Sequence, residues 1–296
     1  MKSKLWLFYA LTTTLFWGIW GALIEVPEKL GFPATLGYSV WALTMIIPAI
    51  VVMRMVKWKL ETNKKAVFHG MIIGLLGAGG QLVLFHALVT GPAYLVFPFI
   101  SLSPLLTIIL STLILKERAN LKGWIGIIMA IIAIPMLSYQ TPDNSAQFGF
   151  YWIFLALFVL FAWGIQAFFM KIANNHMKAE SIFFYMTVTG LIFIPVAIYM
   201  TDFSVEINWG MSGPYFTGII QILNAVGALM LVYAFRYGKA IIVSPLTNAG
   251  APVITIIISL SIYAVIPHYI IMTGMVLAIA AVLLMAQAEA KEEIIK

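Results

Sequence analysis

Apolar segments long enough to cross a membrane fill almost the whole of this 296-residue chain. A transmembrane helix needs about 20 predominantly apolar residues, and ten such segments are separated here by short gaps. Their approximate bounds are 4–24, 34–53, 67–90, 92–115, 121–139, 148–172, 180–200, 212–236, 239–262 and 268–288. We therefore predict an all-α integral membrane protein of ten transmembrane helices, with no soluble domain left to hold an active site.

Lysine and arginine residues alternate between the gaps. If the N-terminus is inside the cell, the inner segments hold 16 of the 17 Lys and Arg residues, and the outer gaps hold only Lys29. Asp and Glu residues divide almost evenly, six inside and five outside. Orientation follows the Lys and Arg bias rather than the net charge, so both termini are predicted to be cytoplasmic, in the inner or plasma membrane of the cell. The basic segments are expected to contact anionic membrane lipid and not nucleic acid.

The composition argues against catalysis. Hydrophobic residues make up 62% of the chain, charged residues only 9%, and the mean hydropathy is +1.02; a soluble domain carries about 25% charged residues. With no cysteine and four scattered histidines, the sequence suggests neither a catalytic constellation nor a ligand spacing for a metal. We predict no catalytic residue, no metal site, no cofactor, and a protein that is not an enzyme.

The chain contains an internal repeat of five segments. Matching residues keep a nearly constant offset of 146 to 148 positions along the sequence. The matches are Trp17-Gly18-Ile19 with Trp163-Gly164-Ile165, Gly91 with Gly238, Pro98 with Pro245, Thr107 with Thr255, and Gly126 with Gly274. Two copies of an odd number of spans have opposite orientations, so residues 1–145 and 146–296 are predicted to form two inverted five-helix repeats. Inverted repeats are the architecture of many secondary transporters.

The residues between the fourth and fifth segments carry a family resemblance. Residues 103–118, SPLLTIILSTLILKER, followed by residues 123–126, GWIG, resemble the signature of the EamA-like ten-helix branch of the drug/metabolite transporter superfamily. Residues 239–255 are similar to the same unit, without the Glu117–Arg118 pair. The resemblance covers the whole chain in span count, repeat and termini, and it implies membrane transport. Members of the superfamily carry amino acids, other metabolites, nucleotide-type compounds, sugars or drugs, often outward.

Prolines interrupt the fourth and ninth segments, which correspond in the repeat. Pro98 and Pro104 lie in the fourth segment, and Pro245 and Pro252 lie in the ninth. A proline leaves the carbonyl four residues earlier without its donor, and in a membrane that carbonyl must face protein or a watery cavity. Matched interruptions in two halves point to a binding site, so these four prolines are predicted to be hinges. The alternative interpretation is that they only shape helix packing.

Aromatic and polar side chains are the candidates for a substrate cavity. Trp17 and Trp163 lie about 20 Å into their segments at about 1.5 Å per residue, which is past the midplane and away from an interfacial belt. Intramembrane amides either line a cavity or bind neighbouring helices together. The predicted substrate-binding residues are Trp17, Trp20, Gln81, His86, Phe97, Ser101, Ser103, Trp163, Gln166, Asn224, Tyr233 and Asn248.

The lack of charge near the segment centres bears on the substrate. No Asp, Glu, Lys or Arg lies near the centre of any segment, although intramembrane carboxylates are the usual proton carriers of pumps and symporters. His86, near the outer end of the third segment, either titrates or bonds to the backbone. The substrate is therefore predicted to be a small neutral or zwitterionic metabolite, amino-acid-like or aromatic.

These patterns favour a secondary-active or facilitative transporter that works by alternating access, in the direction of export. Uptake of a sugar or nucleoside-like solute is an alternative, since amides suit hydroxyl recognition equally well. A non-transporting membrane receptor or scaffold is an alternative of another class. The protein is expected to be a monomer or homodimer, and the small-residue faces of the fifth and tenth segments, with Gly123, Gly126 and Gly274, are candidates for a dimer contact.

Overall fold

The computed structural model describes residues 4–91, 93–139, 149–263 and 266–294, and these residues are helical nearly throughout, with no strand among them. The helices are α1 (Leu5–Leu23), α2 (Glu25–Lys29), α3 (Ala34–Thr44), α4 (Ile46–Met55), α5 (Lys64–Thr90), α6 (Ala93–Ile100), α7 (Ser103–Leu113), α8 (Leu121–Leu137), α9 (Tyr151–Asn174), α10 (Ala179–Ile192), α11 (Ile194–Tyr199), α12 (Phe216–Tyr237), α13 (Ala240–Tyr263) and α14 (Tyr269–Ile294). A π-helical turn, Met211–Tyr215, leads into α12.

Most of these helices are long and apolar enough to cross a membrane. Among the described residues, eight stretches of 20 to 27 residues meet both conditions, and α7 and α8 are shorter apolar helices. Each of the ten predicted segments contains one or two of the helices. The protein is therefore a multi-pass, all-helical membrane protein.

Two breaks occur in spans that the sequence predicts as continuous. α3 passes into α4 at Met45, and α10 passes into α11 at Phe193. A proline lies in the first turn of the second helix each time, Pro48 in α4 and Pro195 in α11. Proline is compatible with a first turn because the N–H groups there have no partner within the helix. The two breaks correspond in the repeat, since Pro48 and Pro195 are 147 positions apart.

The fourth span is broken where the sequence predicts it. α6 ends at Ile100 and α7 begins at Ser103, and Pro104 is buried in the first turn of α7. The other predicted hinge of this span, Pro98, has a side chain that lies outside the described residues. The break gives the fourth span two short helices instead of one continuous helix.

The ninth span does not have the predicted interruption, because α13 runs unbroken through Pro245 and Pro252. Side-chain hydrogen bonds brace the turn between the two prolines. Thr247 Oγ1 donates to the backbone carbonyl four residues earlier at 2.9 Å, and Asn248 Nδ2 does the same at 2.9 Å. These bonds reach the carbonyls of Val243 and Ser244, whereas the prolines free the carbonyls of Ile241 and Asn248.

α8 and α14 pack against each other along their small-residue faces. A Cβ added to Gly126 on α8 would lie 2.8 Å from Cγ of Met285, and one added to Gly274 on α14 would lie 2.9 Å from Cβ of Met136. These glycines permit a close helix contact. The faces that the sequence offers for a dimer contact are thus covered within the chain.

The long helices pack in corresponding pairs. α1 packs on α12 and α13, and α9 packs in the same way on α5 and α7. α3 contacts α12, and α10 contacts α5. The contacts of α9 and α10 follow from those of α1 and α3 when each helix is exchanged for its partner in the repeat. The crossings α1–α12 and α9–α5 carry most of the predicted tryptophans and amides.

Candidate functional site

Two tryptophans make the same contact in the two halves of the protein. On α1, Nε1 of Trp17 donates to the backbone carbonyl of Asn224 on α12 at 3.3 Å. On α9, Nε1 of Trp163 donates to the backbone carbonyl of Gly77 on α5 at 3.4 Å. The tryptophans are 146 positions apart and their acceptors 147. The two predicted cavity tryptophans therefore lie at equivalent helix crossings.

A glycine lies directly behind each indole ring. A Cβ added to Gly227 would lie 2.6 Å from Cδ1 of Trp17, and one added to Gly80 would lie 2.7 Å from Nε1 of Trp163. Non-bonded carbon atoms are normally about 3.5–4.0 Å apart, so any larger residue at either position would displace the ring. Gly80 and Gly227 are themselves 147 positions apart.

A third pair of equivalent contacts joins α1 to α13 and α9 to α7. Thr255 Oγ1 donates to the carbonyl of Gly18 at 2.9 Å, and Thr107 Oγ1 donates to the carbonyl of Gly164 at 3.0 Å. The sequence identifies these four positions only as repeat matches. The structure adds the reason for the match, because each hydroxyl holds the backbone next to a crossing tryptophan.

The contact between α1 and α12, which we call the first crossing, carries a cluster of indole and amide groups. We call this cluster, Trp20, Gln221 and Asn224, the amide cluster. Trp20 Nε1 donates to Oε1 of Gln221 at 3.0 Å, and Asn224 Nδ2 donates to the same oxygen at 3.4 Å. Gln221 Nε2 donates to the carbonyl of Gly37 on α3 at 3.2 Å. Gln221 is 5% exposed, so these hydrogen bonds hold a buried amide that orients its two neighbours.

The contact between α9 and α5, the second crossing, has different polar groups at the corresponding repeat positions. Gln166 stands where the first half has Trp20, and Gly77 stands where it has Asn224. The amide of Gln166 occupies the space that a side chain at Gly77 would need. The two crossings therefore share their backbone contacts and differ in the polar groups that they present.

The predicted residues of the fourth span lie beside α9. Ser103 is buried at the start of α7, and its carbonyl oxygen would lie 2.8 Å from a Cβ added to Gly164. Ser101 is half-buried between α6 and α7. Phe97 on α6 packs with an apolar cluster that includes Trp152.

Three other predicted residues make no hydrogen bond to the amide cluster within the described part of the chain. His86 is exposed near the end of α5, where its ring lies edge-to-face 6.0 Å from that of Tyr151. Gln81 is half-buried on α5. Asn248 is half-buried on α13, and its amide bonds to its own helix.

Tyr233, the remaining predicted residue, lines a cavity of about 580 Å³ between α1, α4, α10 and α12. Its hydroxyl donates to Oε1 of Glu180 at 2.7 Å. Its ring stacks on Tyr9 with 5.0 Å between ring centroids, and Tyr237 stacks on the same ring at 5.8 Å. We call this cavity, with Tyr9, Tyr233, Tyr237 and Glu180, the tyrosine groove.

Sequence reasoning missed Glu180 as a site residue. A carboxylate at the start of an apolar segment has the pattern of a membrane-boundary residue, and its contact with Tyr233 depends on the packing of α10 against α12. The available signal was the pair of tyrosines at 233 and 237, one helical turn apart on α12.

A largely buried ion pair joins the two halves where the basic segments meet. Lys171 Nζ lies 3.8 Å from Oε1 of Glu117, and the two side chains are only 15% and 10% exposed. Lys171 also donates to the carbonyls of Phe235, at 3.0 Å, and Gly238, at the end of α12. Glu117 Oε2 accepts the backbone N–H of Ile241, at the start of α13, at 3.1 Å. The pair fastens both sides of the α12–α13 turn.

The surroundings of Glu117 shift the pKa of its carboxyl group in opposite directions. Burial raises the pKa of the Glu117 carboxyl above its ordinary value, while the charge of Lys171 and the backbone N–H donors of Ile241 and Ala240 oppose the rise. Arg118, its partner in the sequence motif, is exposed. Among the described residues, no group of three or more His, Cys, Asp or Glu side chains is placed to bind a metal ion.

The fold and the crossings define a multi-pass helical membrane protein in which corresponding helices make the same contacts. The model of the EamA-like transporter family matches residues 4–139 and, a second time, residues 150–287. The chain therefore belongs to the EamA-like transporter family, and it is a membrane transporter of the drug/metabolite type.

Two individual proteins are also similar to this chain. An uncharacterised protein of Methanocaldococcus jannaschii is 37% identical over 93 residues, which are 31% of this chain and 68% of that protein. A protein of known crystal structure has a TM-score of 0.78 and 16% identity, with 96% of each chain covered. At that identity the second likeness concerns the fold alone.

Proposed function

We propose that this protein moves a small neutral or zwitterionic metabolite, amino-acid-like or aromatic, across the cell membrane by alternating access, in the direction of export. The observation that carries the proposal is the pair of equivalent tryptophan crossings, Trp17 with Asn224 and Trp163 with Gly77. Two similar helix crossings in one chain can exchange their conformations, and that exchange moves access from one side of the membrane to the other.

We propose ten membrane crossings, with residues 1–145 and 146–296 as inverted repeats and both termini in the cytoplasm. Two membrane crossings come in addition to the eight long stretches. One is α8, and the other is α6 together with α7. The equivalent hydrogen bonds of Thr107 and Thr255 support the repeat. The charge bias of the gaps supports the orientation.

The Glu117–Lys171 ion pair serves in this proposal as the closed cytoplasmic gate. It joins the first half to the α12–α13 turn of the second half. The repeat position of Lys171 is Glu25, 146 residues earlier, and Glu25 pairs with Lys29 of its own helix, where both side chains are well exposed. A local exposed pair contributes little, so the outer end would open more easily than the inner end.

The substrate would bind at the amide cluster. Indole and amide groups recognise rings, amides and hydroxyls, and the cluster contains no charged side chain that would demand an ionic ligand. In the described residues, Asn224 uses its amide nitrogen and its backbone carbonyl within the protein. Its side-chain oxygen would accept a hydrogen bond from the substrate.

The test is solute exchange by the purified protein in liposomes. A panel of amino acids, nucleosides, bases and sugars is first ranked by thermal stabilisation in detergent, where a ligand at a hundredfold excess over its Kd contributes about 2.7 kcal/mol. The stabilising solute is then followed in efflux and in uptake. Asn224→Ala should lose both signals, while Asn175→Ala, at an exposed position, should keep them.

The outcomes separate the candidate functions. A sugar or nucleoside that drives uptake would favour the alternative of import, since the amides of the cluster suit hydroxyls as well. Stabilisation by a solute without any flux would favour a receptor. Flux that is unchanged in Asn224→Ala would show that the substrate does not bind at the first crossing.

A further inference from the structure

We propose that the tyrosine groove is a second binding site, distinct from the amide cluster, and that it takes a free amphiphilic organic cation: a protonated amine with an aromatic or aliphatic body. The groove lies between α1, α4, α10 and α12 and has a volume of about 580 Å³. Sites for small organic ligands commonly measure about 300–1,000 Å³. The charge, the aromatic surface and the apolar wall of the groove each favour this class of ligand.

The charge of the groove comes from one carboxylate. Among the described residues that line it, Glu180 is the only one with a charged side chain. The ion pairs Lys29–Glu25 and Lys171–Glu117 both leave out Glu180. A carboxylate in a largely apolar cavity is stabilised by a cation at hydrogen-bond distance, so the groove is electrostatically complementary to an ammonium group.

The tyrosines hold the carboxylate and add a surface for the cation. The hydroxyl of Tyr233 donates to Oε1 of Glu180 at 2.7 Å, which fixes the carboxylate and leaves Oε2 for a ligand. The rings of Tyr233 and Tyr237 both stack on the ring of Tyr9, with interplanar angles of 21° and 14°. Aromatic ring faces attract ammonium groups within about 6 Å.

The opposite wall of the groove is apolar and open to the membrane. Ile47, Val51 and Met55, on one face of α4, line the groove and are 54%, 52% and 70% exposed. In a membrane protein such exposed apolar side chains face lipid. A ligand with an apolar body can therefore enter from the bilayer while its ammonium group reaches Glu180. The apolar walls do not suit a compact sugar, and the carboxylate of Glu180 repels a dianion.

The test is equilibrium binding of phenethylammonium to the full chain in a neutral detergent at pH 7, by calorimetry. The matched neutral and anionic probes are 2-phenylethanol and 3-phenylpropionate. We expect the cation to bind at least about tenfold more tightly than either probe. Glu180→Gln, whose amide oxygen still accepts from Tyr233, should lower the affinity for the cation to that for the alcohol. Glu206→Gln, at an exposed position, should leave it unchanged.

Three results with the soluble probes would overturn the proposal. They are equal affinity for the cation and the alcohol, unchanged cation binding in Glu180→Gln, and no binding of the cation by the wild-type protein. The comparison of probes on the wild-type protein stands even if Glu180→Gln does not fold. If added phosphatidylethanolamine displaces the cation and binds with the same dependence on Glu180, the occupant is a lipid amine, and the proposal of a free amine is overturned as well. No flux is measured, so this test and that of the proposed transport fail separately.

Discussion

The indole nitrogen of Trp17 donates a hydrogen bond to the backbone carbonyl of Asn224, over 3.3 Å, across the contact between α1 and α12. Because the acceptor is the backbone, the side chain at this position is free to differ between the halves. It is an amide in the first crossing and absent in the second, at Gly77. A symmetric set of backbone contacts can thus carry polar side chains that differ between the two halves.

The glycines behind the two indoles should tolerate no side chain. In Gly227→Ala and Gly80→Ala the new Cβ would overlap Trp17 or Trp163, and overpacking of this kind costs about 1–3 kcal/mol. Both variants should have a lower melting temperature in detergent and should lose transport. Gly218→Ala and Gly79→Ala are matched controls on the same helices, since their Cβ atoms would meet neighbours only at 3.8 Å and 3.6 Å. Equal melting temperatures for test and control variants would contradict the prediction.

The equivalent threonine hydrogen bonds should contribute equally. Thr255→Val and Thr107→Val keep the shape of the side chain and remove the bond to the carbonyl of Gly18 or Gly164. Hydrogen bonds between membrane helices are worth about 0.6–2 kcal/mol, so each variant should unfold at a lower temperature by a similar amount. Thr273→Val is the control, because its hydroxyl bonds to its own helix at an exposed position. A large loss in only one of the two test variants would show that the halves are not energetically equivalent.

Several features of the fold follow from the sequence, because long apolar segments in a membrane have few alternatives to the helix. The repeat offset likewise predicts which tryptophans are equivalent. The breaks at Met45 and Phe193 could not be predicted, since a proline in a first turn and a proline inside a continuous helix look the same in a sequence. Pro48 lies in the first turn of a new helix, whereas Pro245 lies within an unbroken one.

The candidate site was predicted only in part, for a related reason. The prediction of Trp17 and Trp163 follows from depth and repeat position, and that of Asn224 from its mid-span position alone. Glu180 does not, because its role depends on which helix lies opposite. Contacts between distant segments depend on helix directions, and the local composition does not report them.

The stability of the protein should depend on the proton of Glu117. Burial raises the pKa of this carboxyl above its ordinary value of 4.5, so the folded protein binds the proton more tightly than the unfolded chain does. Between the ordinary and the raised pKa the unfolded chain binds fewer protons, and the free energy of unfolding therefore falls as the pH rises. Glu117→Gln cannot titrate and should remove this part of the fall.

The measurement is the melting temperature in detergent across the pH range that begins near 4.5. The curve of Glu117→Gln should be flatter than that of the wild-type protein, whatever constant offset the loss of the Lys171 contact adds. Glu206→Gln, at an exposed position, should follow the wild-type slope. Parallel curves for Glu117→Gln and the wild type would show that burial does not raise this pKa.

Single cysteines should report the orientation of the seventh span without background, because the chain has no cysteine of its own. Asn175 follows α9 in a segment with Lys171 and Lys178, and Val205 follows α11 in a segment, 201–210, that has no Lys or Arg. The charge bias places the basic segment inside the cell. In intact cells a membrane-impermeant maleimide should label Val205→Cys, and it should label Asn175→Cys only after permeabilisation. Labelling of both from one side would mean that α10 and α11 do not cross the membrane, and the reverse pattern would overturn the proposed orientation of the whole chain.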